Sequence, residues 1–156
     1  MASAIDVYLD AVLKQGAEEA RADGSSAIEA HHLLLAIAAG QEEVTREVLG
    51  GLDRNAIRAA LDREFEHSLA AAGVSPSRFG LPQASPADKA PTVMGASTKL
   101  ALERGILHAP RKKDLRPVHL LLGVLQAEVG TVPRALSLAG IDREDLLARA
   151  RAAAGE

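Results

Sequence analysis

Apolar residues recur at spacings of three and four from Ile5 to Ala22, at Ile5, Leu9, Val12, Leu13, Ala17 and Ala20, with Asp10, Lys14, Glu18 and Arg21 between them. That period predicts an amphipathic helix. It stops at Asp23-Gly24-Ser25-Ser26, and Ser26 with Glu29 has the spacing of a capping box for a second helix. From Ile28 to Ala38 almost every position after His32 is apolar, so this helix is expected to be central and buried. Gly40 ends it. A short third helix is predicted from Glu42 to Leu49 with Val44, Val48 and Leu49 inward. Asp53 is placed to cap a fourth, on which Ile57, Leu61 and Phe65 fall four residues apart.

Residues 72–91 hold four prolines and two glycines without helical period and read as a linker or loop, with Phe79 and Leu81 as its large apolar groups. Periodicity resumes from Ala96 to Ala109, with Leu100, Leu102, Ile106 and Leu107 apolar. A basic connector, Arg111-Lys112-Lys113-Asp114, leads to Pro117, which suits the first turn of a helix running through His119 to Leu125. This second half retraces the first. His32-Leu33-Leu34-Leu35 returns as His119-Leu120-Leu121-Leu122, Val44-x-Arg46-x-Val48 as Val132-x-Arg134-x-Leu136, and Leu52-Asp53-Arg54 as Ile141-Asp142-Arg143, at an offset drifting from 87 to 89. The expectation is an all-α chain of about eight helices: a first four-helix repeat in residues 1–71, a linker in 72–91 and a second repeat in 92–156. The two would form one compact, pseudo-twofold domain.

Composition supports helices. Hydrophobic residues are 47% of the 156 and aromatics 2%, so the core must be Leu, Ala, Ile and Val. Two units of about 65 residues would each bury little alone, which favours a shared core. The absence of cysteine removes disulfides and thiolate chemistry and fits a reducing cytoplasm. No apolar run approaches the roughly 20 residues of a membrane span, and Met1 to Asp10 lacks the features of a signal peptide. A soluble, cytoplasmic protein is expected. The net charge of −3 divides unevenly: residues 1–66 carry −7, 67–91 carry +1 and 92–156 carry +3. The halves either attract one another or present differently charged faces to partners.

Candidate chemistry is sparse. His31 and His32 are adjacent and therefore point about 100° apart on a helix, whereas helical metal ligands sit three or four residues apart; the fourth residues on are Leu35 and Ala36. His32 and His119 are read as structural, bonding backbone groups near the two helix starts, with His31 exposed. The serines lie at caps, in loops or among alanines without a nucleophile elbow, and pairs such as Glu18-Glu19 read as solvated helix faces. The basic run has no interleaved aromatic residue to stack on bases. Neither an enzyme, a cofactor, a metal nor nucleic-acid binding is expected.

Glu18-Glu19-Ala20-Arg21, the two His-Leu-Leu-Leu helices and Gly140-Ile141-Asp142 together resemble the layout of the N-terminal (Clp repeat) domain of Clp-type AAA+ unfoldases. The resemblance covers about residues 4–66 and 92–152. It implies a doubled four-helix repeat that binds proteins or peptides, and no phosphate-binding loop of the family's motor domains is present. Two departures stand out. Where some relatives carry a glutamate that receives phosphoarginine on client proteins, this chain has His31 and Val118. Where relatives open each repeat with Phe-Thr, it has Ile5-Asp6 and Thr92-Val93, so a groove between the repeats would be aliphatic. Ile5, Leu9, Leu13, Val93 and Leu100 are the expected groove positions. Implied partners are Clp-type unfoldase or protease components and client peptides, with the chain as adaptor or competitor. Sequestration of a Clp-targeting cyclic peptide antibiotic and a self-associating structural role are the alternatives.

Overall fold

The computed structural model describes residues 2–73 and 85–156, which form eight α-helices. They are α1 (Ala4–Ala22), α2 (Ala30–Ala39), α3 (Glu43–Leu49), α4 (Arg54–Ala71), α5 (Ala96–His108), α6 (Pro117–Leu125), α7 (Thr131–Leu138) and α8 (Arg143–Ala154), with a 3-10 turn at Lys112–Asp114. The starts follow the side chains available. Ser3 and Asp6 cap α1 reciprocally, Asp53 accepts from Ala56 N–H at 2.8 Å, and Asp142 accepts from Glu144 N–H at 3.0 Å. Pro117 occupies the first turn of α6, where no amide is required. Phe79 and Leu81 lie outside the described residues.

Helices α2 and α6 are the centre. Leu33 to Ile37 and Leu120 to Leu125 are buried on every side, and the two helices pack on one another. The outer helices cross between halves: α3 packs on α8 and α4 on α7. Each half therefore covers the other, as expected where neither buries enough surface alone. Ile28, just before α2, pairs in extended conformation with Met94, just before α5: Ile28 N–H donates to Val93 O at 2.9 Å and Gly95 N–H to Ile28 O at 2.8 Å. The Thr98 hydroxyl donates to Ile28 O at 2.7 Å, and Ser97 accepts from Ala30 N–H at 2.8 Å while donating to the Glu29 carboxylate.

That clasp changes the expected start of α2. Ile28 is in the bridge rather than the helix, Ser25 instead of Ser26 makes the local bonds, and α2 begins at Ala30 after Glu29. On α4 the inward series is Ile57, Ala60, Leu61 and Glu64, while Phe65 is 59% exposed. Glu64 goes inside because Arg134 donates to it at 3.0 Å and Ser68 at 2.8 Å. Glu19 is likewise buried rather than solvated, receiving two Arg54 N–H groups at 2.8 and 2.7 Å. Beyond α4, Arg21 holds the end of the linker: Ala87 N–H donates to Arg21 O at 2.8 Å.

Helix α5 departs furthest from its hydropathy. Its buried residues are Thr98, Ala101 and Gly105, whereas Leu100, Ile106 and Leu107 are exposed. The cause is backbone contact with α6. A Cβ on Gly105 would stand 2.7 Å from His119 O, and one on Gly123 would overlap the Ala101 carbonyl. Two helices so close leave space only for small residues at the seam, so Leu100 and Leu107 are turned outward while Leu102 packs at the edge of the core. Gly123→Ala should therefore cost about 3 kcal/mol or more in urea unfolding. Gly51, with nothing within 4 Å of a Cβ, should accept alanine with a change below about 1 kcal/mol.

Candidate functional site

The first turn of α2 brings together the groups that look most like chemistry. His32 is 1% exposed, its Nδ1 accepts from Glu29 N–H at 3.0 Å, and its Nε2 lies 3.0 Å from Asp23 Oδ2. An amide donor at Nδ1 requires that nitrogen to be unprotonated, so Nε2 carries the hydrogen and donates to Asp23. Asp23 also receives Arg58 at 3.2 Å. Burial pushes the Asp23 carboxyl up, but the His32 hydrogen bond and Arg58 outweigh it and hold it below its ordinary range. His119 repeats the arrangement: its Nδ1 accepts from Arg116 N–H at 2.8 Å. Each histidine stands third in its helix and reaches back to the amide before the helix, the place a glutamate takes in an ordinary capping box.

This geometry decides between three uses of the ring. An Asp–His pair suggests a general base, yet His32 has no free lone pair to take a proton. Asp23, His31 and His32 place ligand atoms within 4.8 Å of one another, a juxtaposition that helical spacing could not reveal because Asp23 caps the preceding helix. A cation on His32 Nε2 would need the proton moved to Nδ1, against the Glu29 amide, and would displace Arg58 from Asp23. The capping use leaves both His32 nitrogens, the Glu29 amide and Asp23 with partners.

His31 is half-buried rather than exposed, its ring centroid 4.1 Å from that of His32. Burial and the neighbouring His32 push its pKa down to about 4, so it is neutral at pH 7. Val118 is 1% exposed in the core. Neither position presents a charge to a guanidinium-bearing group. Among the expected groove residues, Ile5, Leu9 and Leu13 are half-buried along α1, the last two packed against the core; Val93 is 60% and Leu100 46% exposed.

Large apolar groups stand in water elsewhere too. Leu107 is 83% and Val129 85% exposed, and with Arg104, His108, Gln126 and Glu128 they line a cleft of about 580 Å³ beside α5. A second cleft of about 690 Å³ lies along α3, where Glu43, Glu47 and Asp53 are among its lining residues. None of the five expected groove residues lines either cleft. The sequence signal for the first was the small pair Ala101 and Gly105, one turn apart, which marks the seam and so identifies the opposite face.

These features define an all-α fold of interlocked four-helix halves around two histidine-capped helices. A solved structure of similar fold is the N-terminal domain of the caseinolytic protease associated chaperone ClpD from Arabidopsis thaliana, at a TM-score of 0.62 and 19% identity over 92% of this chain and 89% of that one. No family model matches the chain, and comparison with curated proteins finds no match. The likeness is one of fold.

Because the folded chain excludes the charged form of His31, the unfolded chain takes up that proton first as pH falls. Stability from neutral His31 is complete above about pH 6.5 and is lost towards pH 4. Urea unfolding across that range should show His31→Gln reducing the pH slope by up to about one proton; an unchanged slope would refute the burial of this ring.

Proposed function

We propose that this chain is a non-catalytic module that binds proteins or peptides and serves a Clp-type proteolytic system as adaptor or competitor. One observation carries the reading: a helix seated on small residues holds Leu100, Ile106 and Leu107 out in water, and Leu107 lines a cleft with Val129. Single exposed apolar residues are ordinary on a surface, but several on one helix with Val129 across the cleft make a patch of the kind that meets a partner. The likeness of fold to the N-terminal domain of a protease-associated chaperone supports the same reading. So does the closed chemistry of His32, whose two ring nitrogens are both engaged.

In this reading the partners are unfoldase or protease subunits and their client peptides. The binding surface runs from the start of α1, with Ile5, Leu9 and Leu13, to the start of α5, with Val93 and Leu100. His31 and Val118 take no part as charge receptors.

A displayed peptide library panned on the whole chain, with binders mapped by hydrogen exchange, tests it. The expected outcome is a set of binders that protect α1 or α5 amides. Co-purification with the unfoldase of the native host should recover at least one of its subunits. No binder and no unfoldase subunit would contradict the proposal.

A further inference from the structure

The outward face of α5 has a charge as well as an apolar stripe. Leu100, Arg104 and Leu107 fall on one face at spacings of four and three, and Leu107 meets Val129 across the cleft. Residues 99–116 hold six cations (Lys or Arg) and two anions (Asp or Glu), while the whole chain is −3, so the rest of the chain is −7. Within this segment Arg111 is paired with Asp114 at 2.9 Å. Among the described residues, Lys99, Arg104 and Lys113 have no carboxylate within ion-pair distance. An exposed leucine stripe beside unpaired cations on an acidic protein is complementary to one chemistry: a partner segment that is apolar on one face and acidic on its flanks.

We propose that the α5 face and the basic turn after it dock an acidic amphipathic helix of a partner protein. Leucine-sized groups of that helix would lie against Leu100, Leu107 and Val129, and its carboxylates against Arg104 and Lys113. The proposal rests on the binding-module reading and names the partner's chemistry. A second copy of this chain is the poorer occupant. In an isologous contact this face would meet itself and set Arg104 and Lys113 against the same cations. Glu103 and Glu128 border the same face, which favours a partner whose acidic groups sit towards the Lys112–Lys113 end.

The test uses fluorescence anisotropy with a labelled synthetic helical peptide carrying leucines every three or four residues and glutamates between them. Its scrambled isomer and a lysine version are the controls. The acidic peptide should bind the whole chain in a salt-sensitive way, and the controls should not. Leu107→Ser should weaken binding about tenfold, and the Arg104→Glu, Lys113→Glu double variant by about tenfold or more. Val7→Ser, at an exposed residue on α1, should leave it unchanged. Thermal unfolding of each variant checks that it is folded, as is expected of changes at exposed Leu107, Lys113 and Val7 and at half-buried Arg104.

No binding, equal binding by the scrambled peptide, or indifference to both the leucine and the charge variants would overturn the proposal. Loss on charge reversal with no effect of Leu107→Ser would also overturn it, since that pattern describes a general polyanion surface. If sedimentation finds a dimer that Leu107→Ser abolishes, the face belongs to a second copy and the proposal fails. Library-selected peptides that still bind near Ile5 and Leu13 would show that the binding-module reading survives that failure. A chain that captures no peptide at all loses both.

Discussion

Two helices of this fold start inside the protein, and the rest of the structure depends on how their first amides are satisfied. A helix buried on every side cannot leave its N-terminal N–H groups to water. In α2 and α6 the third residue is a histidine whose Nδ1 accepts from the amide three residues before it. Imidazole serves because its other edge is compatible with a dry neighbourhood, and in α2 its Nε2–H finds Asp23. A glutamate in the same place would bring a full charge into the core. Once α2 and α6 can be buried, the other six helices wrap them, and the exchange of α3 onto α8 and α4 onto α7 ties the halves together.

A second constraint follows from the first. For α5 to cover α6 it must lie directly on the backbone around His119, which restricts its seam to Thr98, Ala101 and Gly105. Leu100, Ile106 and Leu107 are then turned outward, while Leu102 packs at the edge of the core. The surface that results, exposed Leu100, Ile106 and Leu107 with unpaired cations on an otherwise acidic chain, is a product of packing at the centre. Catalysis has no comparable foothold at α2, because the ring that resembles a catalytic base already uses both nitrogens.

Much of the fold was legible in the sequence because its signals are local. The doubled His-Leu-Leu-Leu run, the capping Asp53 and Asp142, and Pro117 at a first turn each lie beside the helix they announce. What hydropathy misplaced was decided by distant partners or by size. Glu64 displaced Phe65 from the inner face because Arg134, seventy residues on, is there to meet it. Glu19 is inside because Arg54 clamps it, and Ile28 left α2 because the strand-like stretch before α5 pairs with it. On α5 Leu100, Ile106 and Leu107 pointed outward, since close helix contact selects for the lack of a Cβ and hydropathy ranks it low. The same holds for the candidate site: adjacent histidines could be read, but Asp23 closing over them from the end of α1 could not.

Capping by both histidines is the feature on which the fold rests, and long-range nitrogen–proton correlation NMR of the imidazole rings at pH 7 tests it most directly. It predicts that His32 and His119 each show an unprotonated Nδ1 and a protonated Nε2, unchanged on adding zinc. A proton on Nδ1 of either ring, or a zinc-induced shift of the His32 nitrogens, would contradict it and reopen α2 as a site of chemistry.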